Sequence, residues 1–294
     1  MKPPAFEYVL AGSVDEAVSA LASTEDARAL AGGQSLVPLM NLRLARPPLL
    51  VDINGLRELD AVTVDGERGE VRLGALCRHR RLERDAEVRD AAPLLSHAAA
   101  LIGHPQIRNR GTLGGSLSHG DPAAELGAVL LALEGRVRVA GPAGERDIPA
   151  HELFTGFFST SIAPDELLVE VVVPSGADGS GSAFLEYAPR HGDFAVVGVA
   201  AQLRRENGRC VEARAAACGV GETAVDLSAA LAPLLDGDPE SDDVRREVAA
   251  RTTVLVRPFD DVHATADDRK ELTQLLTVEA VRRAWADAGQ GADG

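Results

Sequence analysis

Ile107-Arg108-Asn109-Arg110-Gly111-Thr112-Leu113-Gly114-Gly115-Ser116-Leu117-Ser118-His119-Gly120-Asp121-Pro122 is the stretch on which the reading of this chain turns. With Gly103-His104-Pro105-Gln106 ahead of it, it puts five glycines within eighteen residues. It then runs into an apolar segment, Ala123 to Leu133. That segment reads as a helix with Asp121 as N-cap, Pro122 in its first turn and Gly135 past its end. The expectation is a backbone-lined loop leading to a helix. A second glycine turn, Gly32-Gly33-Gln34-Ser35, separates a small apolar strand, Ala27 to Leu30, from helical spacing over Leu36 to Leu44. Glycines at both places leave N–H groups unpaired and admit a ligand to the main chain, as an anionic diphosphate requires. At the first turn, a helix dipole and the Ser35 hydroxyl add to those amides. Neither turn has the G-x-G-x-x-G spacing or ends in Gly-Lys-Ser/Thr, so the Rossmann and P-loop readings fail.

Working outward, Phe6 to Leu10 and Leu49 to Ile53 read as strands. Ser13 followed by Glu16 reads as a capping box that opens a helix. Residues 1 to about 58 thus form one small βαβ-type lobe. Val62-Thr63-Val64 and Val71-Arg72-Leu73 flank a polar turn as a hairpin, and Leu82 to Ile102 reads as one or two helices. Strands follow at Val137 to Ala140 and Leu167 to Val173. The Gly/Ser-rich break from Pro174 to Gly181 is taken as a domain boundary. Beyond it, Ala183 to Tyr187, Ala195 to Arg204 and Cys210 to Cys218 read as a strand meander with an Asn207-Gly208 turn. Val225 to Leu235, Asp242 to Thr252 and Asp267 to Ala288 read as helices. The fold class is α+β, with domains at 1–176, in lobes of about 1–58 and 59–176, and at 177–294.

Composition removes several functions. The 294 residues carry 30 Lys+Arg against 45 Asp+Glu, a net charge of −15 that repels a phosphate backbone, so nucleic acid is not a partner. No apolar run reaches the ~20 residues of a membrane helix. The acidic N-terminal stretch lacks the apolar core of a secretory signal, which makes the expected location cytoplasmic. Cys77, Cys210 and Cys218 form no C-x-x-C pair, so the chain has no thiolate set for an iron–sulfur cluster and no metal site is expected. His104 and His119 flank the glycine stretch without a carboxylate at ligand spacing. Lys2 and Lys270 sit near the ends, away from any site for amine chemistry. No catalytic acid–base set stands out.

Ala31-Gly32-Gly33-Gln34-Ser35, the Ile107 to Gly115 block with Ser118 to Pro122 behind it, and Arg190-His191-Gly192-Asp193-Phe194-Ala195 together resemble the flavin-binding medium subunits of molybdenum hydroxylases, nearly end to end. The resemblance implies a two-lobed FAD-binding domain of the PCMH type, followed by a C-terminal domain of antiparallel sheet plus helices. It implies noncovalent FAD with its diphosphate side against Ala31, Gly32, Gly33, Gln34, Ser35 and Leu36 and against Thr112, Leu113, Gly114, Gly115 and Ser116. Asp121 would accept from the adenosine ribose, or only cap its helix. Leu167 and Leu168 match a segment near the adenine or flavin. Tyr187 and Asp193 belong to a segment closing over the isoalloxazine; on the residues alone, Tyr187 reads equally as core and Asp193 as a turn cap. Gln34 stands where many relatives have His, and Leu113 replaces a frequent Ile. Arg108 and Arg110 neutralise diphosphate charge, face a partner subunit or lie in a solvated loop, while Glu125 reads as a surface charge. The implied partners are a molybdenum-cofactor large subunit and a [2Fe–2S] small subunit, in a heterotrimer or its dimer. The implied function is electron transfer from those clusters through FAD to an external acceptor, with a self-sufficient FAD-dependent oxidase or reductase as the alternative. In that alternative, His191 or Asp193 would be the base. A bulky residue at Gly114 is expected to empty the site and leave the fold largely intact.

Overall fold

The computed structural model describes residues 2–290; Met1 and residues 291–294, which end the predicted C-terminal domain, lie outside the described residues. The chain opens with β1 (Glu7–Leu10), α1 (Val14–Ser23), β2 (Arg28–Leu30), α2 (Leu36–Asn41) and β3 (Leu49–Asp52), whose strands form a parallel sheet in the order β1-β3-β2. The Ser13 hydroxyl accepts the Glu16 N–H at 3.1 Å, while the Glu16 carboxylate reaches back to the Gly12 N–H at 2.8 Å, the reciprocal pairing expected of a capping box. The helix after the first glycine turn is shorter than its apolar spacing suggests. Leu42 caps it, and Arg43 then takes φ +62°, turning the chain away.

The middle of the chain contains β4 (Val62–Asp65), β5 (Glu70–Gly74), α3 (His79–Arg84), α4 (Ala86–Ala91), α5 (Pro93–Ala99), α6 (Pro105–Arg110), α7 (Leu113–His119) and α8 (Glu125–Ala132). It continues with β6 (Arg136–Gly141), β7 (Gly144–Pro149), α9 (Ala150–Leu153), β8 (Phe154–Gly156), β9 (Ser159–Thr160) and β10 (Leu167–Pro174). Five of these strands make an antiparallel sheet ordered β4-β5-β10-β6-β7. Strand β7, Gly-Glu-Arg-Asp-Ile-Pro, has almost no apolar alternation and was invisible to pattern reading; as an edge strand it needs only one buried residue, Ile148.

The glycine stretch is not an open loop. It is two short helices, α6 and α7, with Thr112 as N-cap of the second, its hydroxyl accepting the Gly115 N–H at 3.1 Å. Asp121 does not cap the next helix either. Its Oδ1 accepts the Ala123 N–H at 2.9 Å and its carbonyl accepts Ala124, closing a turn. An Asp side chain bonded two residues on competes with helix, so α8 starts only at Glu125.

The last part holds β11 (Ser180–Tyr187), β12 (Val197–Glu206), β13 (Arg209–Cys218), β14 (Val225–Asp226), α10 (Pro233–Asp236), α11 (Asp242–Leu255) and α12 (Ala266–Gln290), with one antiparallel sheet ordered β11-β12-β13-β14. The segment expected to be helical from Val225 to Leu235 is a short strand, a 3-10 turn at Ser228–Leu231 and α10. Pro233 cannot donate to a continuous helix ladder, which accounts for the break. Helix α12 lies directly on β11: a Cβ at Gly181 would sit 2.2 Å from the Ala284 carbonyl oxygen. Seven of the eight residues of α8 are buried, because its other side packs on β12 and β13, with Ala200, Ala216 and Cys218 in the same core as Leu126 and Leu130. A helix apolar all round is a central helix. None of the helices among the described residues is long and apolar enough to cross a membrane.

Candidate functional site

The two glycine segments meet. A Cβ at Gly32 would lie 2.2 Å from the Arg110 carbonyl oxygen and 2.9 Å from the Gly111 Cα, so these backbones are in direct contact. Beside the contact opens a cleft of about 1060 Å³, at the upper end of the ~300–1,000 Å³ usual for ligand pockets. Its walls come from β2 to α2, from the residues after β5, from α6 to the start of α8, from Phe158 to Leu168, and from Gly192 to Phe194.

The two segments differ in what they offer. Leu113 N–H donates to Cys77 O, Gly114 N–H to Ala75 O, Gly115 N–H to the Thr112 hydroxyl and Ser116 N–H to Thr112 O. The second segment therefore spends its amides on the protein, contrary to the expectation that both turns leave them free. Its glycines are there for close packing: a Cβ at Gly114 would meet Ala75 at 2.6 Å, and one at Gly111 would meet the His79 ring at 2.8 Å. This overturns the expectation that a bulky Gly114 spares the fold. In the first segment, by contrast, none of the N–H groups of Gly32, Gly33, Gln34 and Ser35 donates a hydrogen bond among the described residues. Gly33 takes φ +71°, and Ser35, ahead of α2, makes no capping bond with its hydroxyl. Gln34 turns its amide nitrogen onto Gly32 O at 3.0 Å, so this group holds the loop.

Of the residues the sequence assigned to the cofactor, Ala31 to Leu36, Thr112, Gly114, Gly115, Ser116, Asp121, Leu167, Leu168 and Asp193 line the cleft. Leu113 and Tyr187 do not. Leu113 is fully buried in the core under α7, and Tyr187 is 50% exposed at the end of β11, paired with Val197. Gly192, with φ +89°, packs on the ring of His104 and brings Asp193 and Phe194 to the cleft mouth.

Three charged or aromatic groups were misjudged or missed. Arg108 is only 6% exposed; it bonds Glu83 at 2.9 Å and the carbonyls of Ile102 and Gly103 at 3.1 and 2.8 Å. It is a structural staple, facing neither a diphosphate nor solvent. Glu125 is 5% exposed at the base of the cleft instead of on the surface. Burial, with Glu186 and Asp121 nearby, pushes its carboxyl up to about 8, and burial pushes Glu186 to about 7. A Glu at the start of an all-apolar run, Glu125-Leu126-Gly127-Ala128-Val129-Leu130, was the available signal. The third is His79, whose Nε2–H donates to Thr112 O at 3.0 Å, since a carbonyl oxygen only accepts; burial holds the ring down at about 4 and hence neutral. His119 and Phe158, with ring centroids 5.2 Å apart, form an aromatic wall.

The family model for the FAD-binding domain in molybdopterin dehydrogenase matches residues 4–176, and that for the CO dehydrogenase flavoprotein C-terminal domain matches residues 182–284. This chain belongs to the FAD-binding subunit family of molybdopterin dehydrogenases. It is 44% identical to the 6-hydroxypseudooxynicotine dehydrogenase complex subunit alpha of Paenarthrobacter nicotinovorans, over 97% of this chain and 96% of that one. It is similar in structure to carbon monoxide dehydrogenase from Hydrogenophaga pseudoflava, with TM-score 0.94, 36% identity, and coverage of 98% and 99%. Quinoline 2-oxidoreductase from Pseudomonas putida 86 follows at TM-score 0.92 and 36% identity, with the same coverage. The FAD subunit fold, α+β with a C-terminal antiparallel sheet, is thus shared along the whole chain, and the relatives are oxidoreductases. The site fits the family's cofactor: four free consecutive amides ahead of a helix suit an anionic diphosphate, and a roomy cleft between aromatic and aliphatic walls suits the rings.

Proposed function

We propose that this FAD subunit passes electrons from [2Fe–2S] clusters on a small partner subunit to an external acceptor, within a complex whose large subunit carries the molybdenum cofactor. The observation that carries the reading is the row of free N–H groups from Gly32 to Ser35 at a cleft of about 1060 Å³. The three cysteines are buried and unpaired, Cys77 after β5 and Cys210 and Cys218 at opposite ends of β13, with burial pushing Cys77 up to about 12. That supports a division of labour in which clusters sit on another chain, and a reducing, cytoplasmic location.

The bound cofactor supplies reversible one- and two-electron redox chemistry. What this chain contributes is binding and positioning. The amides of residues 32–35 and the Ser35 hydroxyl hold the diphosphate. Asp121, anchored by its turn, presents a carboxylate to the ribose, and Leu167 and Leu168 cover the flat adenine or flavin surface. Asp193 closes the mouth. Glu125 keeps its proton at neutral pH and so presents an O–H donor at the base of the cleft. We read residues 1–176 as the FAD-binding domain and 177–294 as the second domain. The test is the visible spectrum of the purified full chain after FAD loading and desalting, followed by co-expression with its partner subunits. Retained FAD that becomes reducible only through the partners supports the reading; turnover of NADH or a small substrate by the chain alone supports the self-sufficient oxidoreductase.

A further inference from the structure

We propose that Asn54 and Arg78 are positioning residues that join the two glycine segments and set the direction of the free amides, an inference that rests on the cofactor reading above. Asn54 follows β3. Its Nδ2 donates to Ala31 O at 2.9 Å, Leu30 O at 3.2 Å and Asp52 Oδ1 at 2.7 Å, while its Oδ1 accepts Arg78 Nη2 at 2.7 Å. Arg78 Nη1 donates to Arg110 O at 2.5 Å, the carbonyl that Gly32 packs against. Asp52 in turn accepts Tyr8 OH at 2.7 Å, and these bonds, with the Arg110 charge, outweigh its burial and keep it ionised. The bridge therefore runs from the first segment through Asn54 and Arg78 to the second.

Neither an apolar side chain nor an ionised carboxylate serves at the centre of this bridge. The guanidinium has donors alone, and the Leu30 and Ala31 carbonyls are acceptors alone, so the residue between them must carry one of each. The Ala31 carbonyl also shares a planar peptide with the Gly32 N–H, which points the opposite way. Holding that carbonyl on Asn54 turns the first free amide of the row away from Asn54. On the other side, Ala75 to His79 staples the second segment by four bonds: Gly114 N–H to Ala75 O, Leu113 N–H to Cys77 O, His79 N–H to Gly111 O and His79 Nε2–H to Thr112 O. Arg78 lies within that staple and so ties the loose segment to the rigid one.

The experiment uses the full chain with Asn54→Leu, Arg78→Met, the double variant and Asn54→Asp. It reads three things: FAD affinity by flavin fluorescence, apo-protein melting temperature, and hydrogen exchange of the peptide spanning 31–41 without FAD. Each single variant should weaken FAD by roughly tenfold, the worth of one or two hydrogen bonds. The double variant should be no weaker than the worse single, because either change breaks the same bridge. Exchange over 31–41 should rise. Asn54→Asp should regain affinity as pH falls, because a protonated carboxyl again offers a donor to the carbonyls beside Asp52, Arg78 and Arg110. Single variants within twofold of the parent, a double effect equal to the product of the singles, or unchanged exchange would overturn the bridge. A parent chain without FAD affinity, whose variants still loosen 31–41, would sink the cofactor reading and leave the bridge standing.

Discussion

Gly32→Ala should cost both stability and cofactor affinity, through one contact. The new methyl would start 2.2 Å from the Arg110 carbonyl oxygen, and real Cβ atoms do not approach closer than about 3.0 Å, so the segments must part by about 0.8 Å. Parting them lengthens the bridge in which Arg78 joins Asn54, at 2.7 Å, to Arg110 O, at 2.5 Å; because Arg78 moves with the second segment, the Asn54 bond takes up the 0.8 Å and reaches about 3.5 Å, the edge of hydrogen bonding. Overpacking of this kind costs about 1–3 kcal/mol, and the displaced amides should lose about tenfold in FAD affinity. Urea unfolding of the apo-protein gives the first quantity and fluorescence titration with FAD the second. Gly156→Ala is the control, because its Cβ would enter open space. If Gly32→Ala matches Gly156→Ala in both urea midpoint and affinity, the close contact between the glycine segments does not govern the site.

Gly114→Leu should fail to fold instead of yielding a folded, empty protein, since even its Cβ collides with Ala75 at 2.6 Å; circular dichroism with a native-like melt would contradict this. Arg108→Met should lower stability by about 2–4 kcal/mol, because Glu83 and the carbonyls of Ile102 and Gly103 lose their donor; an unchanged denaturation midpoint would mean the staple is idle. Glu125→Gln should remove a pH dependence. With the folded carboxyl at about 8 against an ordinary 4.5, the folded state holds a proton the unfolded chain has released, so the parent loses stability relative to the variant as pH rises through that window, by at most about 1.4 kcal/mol per pH unit. The difference should level off above pH 8; parallel melting curves from pH 5 to 9 would show that Glu125 titrates normally.

The apolar-patterned strands of the three larger sheets, the long helices and most of the cleft wall are legible in the sequence, because periodicity and glycine placement are local signals. Strand β7, whose Gly144 to Pro149 are nearly all polar, and the two- and three-residue strands β8, β9 and β14 carry no such signal, and α8 reads as extending backward through Ala123, since Asp121 is chemically as good a helix cap as a turn former. Fourteen of the sixteen assigned residues line the cleft; Leu113 and Tyr187 fall outside because motif position says nothing about which side of a backbone faces a cavity.

By itself the sequence determined the α+β class, the two glycine segments, the family and hence FAD, and the lack of a cluster-binding cysteine set, each through composition or contiguous residues. The tertiary structure alone decided which glycine segment keeps its amides free, why Gly32 and Gly114 must be glycine, and where Glu125 and Arg108 lie. Those properties depend on what packs opposite: Ala75 to His79 consumes one set of amides, β12 and β13 bury the helix that carries Glu125, and Glu83 draws Arg108 inward. Such partners come from tens of residues away, beyond the reach of any local pattern.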